Sequence, residues 1–188
     1  GEVFAAELAK KVGIPIKVYM PTDYLGVVEA LRNRTADMAF VHPAGYVFAN
    51  REAKAQIVAV DVWHGKTSYT SRFYVRKNSG ITSLEGLRGK TIAFVDPGST
   101  SGYVYPMVML IKKGLVMNRD PKTFFKDAMF AGTHEAALLA LLNGSVDAVA
   151  SFDLAPQQYL KEKEKVERLS YVAETEPIPE AGMCVRDG

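Results

Sequence analysis

The chain has 188 residues, 48% of them apolar and 23% charged, with a formal net charge of +2. That balance excludes a disordered chain, and the charge is too small and too dispersed for a nucleic-acid binder. One cysteine, Cys184, excludes an internal disulfide and argues against a cysteine-based zinc site, and no apolar run approaches the roughly 18 residues of a membrane span.

Val3, Phe4, Leu8 and Val12 recur at helical spacing and predict a helix over 2–12, closed by Gly13. Ile16, Val18 and Met20 alternate, which predicts a strand over 16–20, stopped by Pro21. Thr22-Asp23 can cap a helix running to about Asn33, with Val27, Val28 and Leu31 inward. Residues 36–41 read as a short buried strand, and Pro43 suits the first turn of a helix to about Asn50. Further strands are predicted at 56–62, 69–75, 91–95, 128–131, 146–150 and 169–173, with helices near 101–113, 134–143 and 154–164. The charged run 161–168 reads as a solvated helix end. Strands alternating with helices predict an α/β chain built on largely parallel sheets.

Two segments resemble each other at an offset of 110 residues. Leu31, Asn33, Thr35, Ala36 and Asp37 match Leu141, Asn143, Ser145, Val146 and Asp147, in each case a helix end, a turn and a strand. The same register places Tyr24 opposite His134, each near the start of its helix, and His42-Pro43 opposite Phe152-Asp153, each at a strand's C-terminal end. Ligands of open α/β sheets bind beyond strand ends, beside helix N-termini. The repeat therefore predicts two similar lobes facing one cleft, against the plainer reading that helix-turn-strand units look alike in any α/β protein.

The strand 91–95 runs into Asp96-Pro97-Gly98-Ser99-Thr100-Ser101-Gly102 and then an apolar helix. Two glycines permit close backbone approach. Ser99, Thr100 and Ser101 supply hydroxyls where a helix leaves its first N–H groups unpaired and its dipole is positive, which suits a tetrahedral oxyanion. The loop lacks the Gly-Lys-Ser/Thr ending of a nucleotide-triphosphate loop. Its alternative is a Ser/Thr helix cap that binds nothing. His134, Tyr24, Tyr69 and His42 are further candidate ligand donors, each with a packing or surface alternative. Asp153 would repel a dianion and reads as a cap of the next helix. Trp63-His64-Gly65 is a turn at the cleft rim or a plain hairpin, and Cys184 reads as a buried apolar thiol.

Ser83, Leu84, Leu87, Gly89, Lys90 and Ala93 make a segment that resembles the SLxxLxGKxxA stretch of type II periplasmic solute-binding proteins. With the 96–102 loop, Thr22-Asp23-Tyr24 and Gly132-Thr133-His134-Glu135, the chain resembles the phosphate, phosphite and phosphonate-binding subfamily of ABC-transporter proteins over nearly its whole length. The resemblance implies an α/β, two-lobed type II periplasmic-binding-protein fold with the ligand cleft between the lobes and the first lobe incomplete. A strand upstream of residue 1 and a helix beyond residue 188 would complete it. Lobe 1 is expected to span 1–73 plus 174–188 and lobe 2 to span 74–173, with hinge strands near 70–76 and 170–176.

The family's phosphonate-group donors map onto Ser99, Thr100, Ser101, Tyr24 and His134, and Tyr69 matches a cleft tyrosine. Family members that bind aminoalkylphosphonates place a carboxylate where this chain has Ala181, although Glu180 is adjacent; the departure favours phosphite or methylphosphonate. The implied function is extracytoplasmic capture of a phosphorus oxyanion for an ABC transporter permease, in the periplasm or as an extracellular membrane-anchored lipoprotein. The protein would act as a monomer, with no cofactor, no metal and no nucleic acid. A ligand-sensing domain of a signalling receptor is the alternative. An enzyme would need a nucleophile with a base, or a metal cluster; His42, His64 and His134 have no metal-ligand spacing, so none is expected.

Overall fold

The computed structural model describes residues 1–63 and 65–187. The second half is built on a five-stranded sheet ordered β6-β5-β7-β4-β8, from β4 (Ser71–Arg76), β5 (Thr91–Phe94), β6 (Asp127–Phe130), β7 (Ala148–Phe152) and β8 (Leu169–Glu174). Strand alternation divides its core between two faces. Ile92 and Phe94 of β5 join Phe73 and Val75 of β4 under α4 (Tyr105–Lys112), whose Met107 and Leu110 close that face. Ala93, Val95, Tyr74 and Val149 point the other way, against Leu138 and Leu141 of α5 (His134–Leu142).

The first half has α1 (Glu2–Val12), α2 (Gly26–Arg32), β1 (Met38–Val41), α3 (Pro43–Ala53) and β2 (Gln56–Val60). Its sheet is completed by β10 (Gly182–Val185), which returns from the C-terminal end and lies between β1 and β2. Val28, Leu31, Val41 and the fully buried Cys184 form its small core, as the apolar reading of that thiol anticipates. A two-stranded ribbon of β3 (Ser68–Tyr69) and β9 (Ile178–Pro179) runs between the two larger sheets in sequence.

The 110-residue repeat is structural. Asn33 and Asn143 cap their helices, and Arg34 (φ 59°) takes the left-handed conformation that Gly144 (φ 80°) takes in the second copy. Thr35 and Ser145 each donate their N–H five residues back, to Ala30 and Ala140, at 2.9 Å, and β1 and β7 begin at Met38 and Ala148.

Several expectations are corrected. Residues 16–20 form no strand, although their counterparts 127–130 form β6. β6 has β5 beside it, whereas 16–20 and the outer edge of β1 have no ladder partner among the described residues, so alternation there had nothing to pair with. The sheets are mixed: β5 is parallel to β6 and β7, but β4 is antiparallel to β7 and β8, and β10 to β1 and β2. The antiparallel strands β4, β8 and β10 are those at which the chain passes between the two larger sheets. β1 is only partly buried, with Phe40 exposed. The strand expected over 69–75 breaks at Thr70. The helix over 154–164 divides into α6 (Ala155–Tyr159) and α7 (Lys163–Glu167), interrupted where Leu160 turns extended.

Candidate functional site

The 96–102 loop is set by short-range bonds. Asp96 Oδ1 accepts from the Gly98 N–H at 2.7 Å, and Ser99 Oγ caps the following turn by accepting from Gly102 N–H at 3.1 Å. A Cβ on Gly102 would lie 2.4 Å from Val95 Cβ, so only glycine lets the loop fold back onto the end of β5. The chain then opens into a π-helical turn, Thr100–Val104, ahead of α4. The N–H groups of Thr100 and Ser101 have no protein partner among the described residues. Such a turn presents amides and hydroxyls together at a positive helix end.

All seven residues singled out as ligand donors line one cavity of about 610 Å³: Tyr24, His42, Tyr69, Ser99, Thr100, Ser101 and His134. Tyr24 sits in the turn before α2, where Asp23 Oδ1 accepts from Gly26 N–H at 2.8 Å; the N-cap itself is Leu25, which makes no side-chain cap bond, in place of the expected Thr22-Asp23 cap. Burial raises the pKa of the Tyr24 phenol, and the Ser99 side chain opposes the shift. Burial likewise raises the Tyr69 pKa, with Ser101 opposing. His42 is the N-cap of α3, its ring 5.8 Å from that of Tyr24. Burial lowers its pKa, with Asp61 opposing. Thr100 Oγ1 accepts from the Ala44 N–H of α3 at 3.0 Å, which ties the loop to the first lobe across the cavity. That bond uses the oxygen and leaves the hydroxyl hydrogen to donate.

His134 opens α5 behind the cap made by Thr133 Oγ1 with Ala136 N–H, 3.1 Å. Its ring lies parallel to Tyr159 at 6.2 Å and edge-on to Phe152 at 5.0 Å. Burial, and then the nearby His42 imidazole, push its pKa down to about 4, so it is neutral at pH 7.

Of the remaining wall, Asp61, Leu154 and Tyr159 escape sequence reasoning, whereas Trp63, Phe152, Asp153 and Glu180 carry sequence signals. Phe152, Leu154, Tyr159 and Trp63 give it an apolar side, and Asp61, Asp153 and Glu180 an acidic one. Asp61 follows the end of β2 and Asp153 the end of β7, so the strand-end rule was a usable signal for both. Tyr159, the last residue of α6, had no such signal. Asp153 is not a helix cap: its carbonyl accepts from the Tyr74 hydroxyl at 2.7 Å, and the N-cap of α6 is Leu154. Ala181 uses its backbone to accept from Asp61 N–H at 2.8 Å, while the neighbouring Glu180 faces the cavity. Burial, then Asp61 and Asp153, raise the Glu180 pKa. Trp63 and Lys66 form a bridge, so the rim turn is also a hairpin; His64 lies outside the described residues.

Among the described residues no lysine or arginine lines this cavity. A second cavity of about 290 Å³ holds Arg72, but that guanidinium already pairs with Glu174 at 3.1 Å and covers the Tyr171 ring. Among the described residues no group of three or more His, Cys, Asp or Glu is placed to hold a metal ion, and no helix is long and apolar enough to cross a membrane.

A family model described as the periplasmic substrate-binding protein of phosphonate ABC transporters matches residues 2–188. The phosphate-import protein PhnD of Mycolicibacterium smegmatis is 35% identical over 152 residues, covering 78% of this chain and 47% of that protein. The phosphonates-binding periplasmic protein of Escherichia coli is 31% identical over 186 residues, covering 94% of this chain and 52% of its own length. This chain thus spans about half the length of the curated relatives it matches. Among solved structures, the binding-protein component of a Pseudomonas aeruginosa ABC phosphonate transporter superposes with TM-score 0.88 at 27% identity, over 100% of this chain and 63% of that one. PhnD1 of Prochlorococcus marinus in complex with methylphosphonate gives 0.84 at 23% identity, over 98% and 69%.

Proposed function

The chain belongs to the family of periplasmic substrate-binding proteins of phosphonate ABC transporters, and from that membership we propose that its cleft captures a phosphorus oxyanion for a transporter permease. The observation that carries the reading is the set of buried hydroxyls at Ser99, Thr100 and Ser101, joined around one cavity by Tyr24, Tyr69, His42 and His134, with no lysine or arginine lining it among the described residues. Each neutral donor onto an anionic oxygen contributes roughly 1.5–3 kcal/mol. Capture by hydrogen bonds makes geometry and the number of free oxygens the basis of selection. The family consists of transporter components that bind solutes, and we read this chain the same way, as a binder and not an enzyme. It would act outside the cytoplasm, as a monomer in the periplasm or on a lipid anchor.

In this reading lobe 1 comprises 1–73 plus 174–188 and lobe 2 comprises 74–173, moving about the strands near 70–76 and 170–176. The ribbon of β3 and β9 next to those strands supports the division. Closure would exclude water and strengthen each bond to the anion.

The acidic side favours a second reading of the ligand's tail. Asp61, Asp153 and Glu180 leave uncompensated negative charge opposite the donors, which suits an ammonium-bearing phosphonate better than the uncharged tail that Ala181 suggests. Calorimetry and thermal shift at pH 7 with phosphate, phosphite, methylphosphonate, aminoethylphosphonate and sulfate decide both points. Binding of a phosphorus oxyanion, lost in Ser99→Ala/Thr100→Ala, is expected; no response to any of them overturns the function. Preference for aminoethylphosphonate over methylphosphonate selects the second tail.

A further inference from the structure

The His134 imidazole is 8% exposed and neutral at pH 7, so it carries one N–H on one of two nitrogens. Which nitrogen holds it decides what the cavity meets. Nδ1 lies 2.7 Å from Ser151 Oγ. Nε2 has no hydrogen-bond partner among the described residues, yet none of their buried side-chain polar atoms lacks one, so Nε2 is open to the cavity.

Ser151 is in the middle of the five-stranded sheet and fully buried. Among the described residues its hydroxyl meets only His134 Nδ1. Two arrangements exist. If Nδ1–H donates to Oγ, the serine hydrogen has no acceptor in a dry core, and a lone pair on Nε2 faces the bound anion. If Ser151 O–H donates to Nδ1, both groups are satisfied and Nε2–H points into the cavity. The first arrangement carries the penalty of an unmade buried hydrogen bond and repels an oxyanion; the second does neither.

We propose that Ser151 is a positioning residue that locks His134 in the Nε2–H tautomer, making a neutral imidazole a one-way donor to the cleft. The assignment deepens the oxyanion reading and rests on it for its purpose, though the tautomer is measurable with no ligand present. Ser151 touches no ligand in this scheme. It acts through the ring, as the buried Ser71 hydroxyl acts through the Ser101 carbonyl at 2.6 Å.

The test is a ¹H–¹⁵N correlation spectrum of the imidazoles in the histidine-labelled protein at pH 7, assigned by His134→Gln. The expected result is an Nε2–H pattern for His134. An Nδ1–H pattern, a tautomer mixture or an imidazolium in the parent protein overturns the proposal. Ser151→Ala is expected to give a mixed pattern at His134 alone and to weaken methylphosphonate binding about tenfold, the scale of one misdirected hydrogen bond to a charged group. An unchanged His134 pattern in a folded Ser151→Ala protein also overturns it, and if that variant does not fold, the parent spectrum still decides. An Nε2–H pattern in a protein that binds no phosphorus oxyanion upholds the tautomer and refutes the ligand reading instead.

Discussion

At His134, burial and the neighbouring His42 act in the same direction on one imidazole. Its folded-state pKa of about 4 lies below the roughly 6.5 of an unfolded histidine. The unfolded chain therefore takes up the proton first. The stability this group supports is intact above about pH 6.5 and is lost as pH falls toward 4, by roughly 3 kcal/mol at about 1.4 kcal/mol per pH unit. His42, also lowered by burial, adds to the same trend. Urea midpoints measured from pH 7.5 to 4 should fall more steeply in the parent than in His134→Gln. A bound anion should raise the His134 pKa, so saturating ligand is expected to flatten the acid side of the curve.

Among the elements, the loop between β5 and α4 is the one on which site and fold depend together, and its two glycines separate those roles. Gly102 packs on Val95 inside the second lobe. Gly102→Ala forces the loop off its strand and should lower both stability and affinity. At Gly98 an added Cβ would meet Tyr24 Cβ at 3.0 Å and Leu25 at 3.2 Å, both in the turn before α2. Gly98→Ala should leave the melting temperature of the ligand-free protein within about 2 °C while weakening methylphosphonate tenfold or more, since the contact forms only where the lobes meet. Thermal melts and calorimetry on the two variants check the contrast. A Gly98→Ala protein that binds as the parent does would remove the contact between Gly98 and the turn before α2 from the mechanism.

Over the whole molecule, the cavity is a neutral donor wall facing an acidic wall. Asp61 and Glu180 come from the first half of the fold or its C-terminal return, and Asp153 from the end of β7. With no Lys or Arg lining the cavity among the described residues and an acidic wall in it, salt has a repulsion and not an attraction to screen, so methylphosphonate affinity should not fall between roughly 0.05 and 0.5 M salt. Glu180→Gln is expected to weaken aminoethylphosphonate and strengthen methylphosphonate, because it removes a charge that attracts the ammonium and repels the anion. Titration calorimetry with both ligands checks the opposite signs; a change of one sign for both would assign Glu180 a general role in packing.

The sequence by itself determined what is local. The capping serine, the glycines and the three hydroxyls of the 96–102 loop lie within a few residues of one another, and the two bonds that shape the loop, Gly98 N–H to Asp96 and Gly102 N–H to Ser99, are made within that span. The repeat was legible for the same reason: a helix end, a left-handed turn and a strand start are short-range events. Tertiary structure alone decided what depends on a partner distant in the chain. Residues 16–20 alternate as a strand should, but a strand exists only beside another, and none lies there among the described residues. Pairing direction followed from β4, β8 and β10 crossing between halves. Ser151 fixing a ring 17 residues away, and an acidic wall drawn from positions 61, 153 and 180, are likewise contacts made by packing. Side-chain type states which bonds a residue can make, and the fold determines which of them are available.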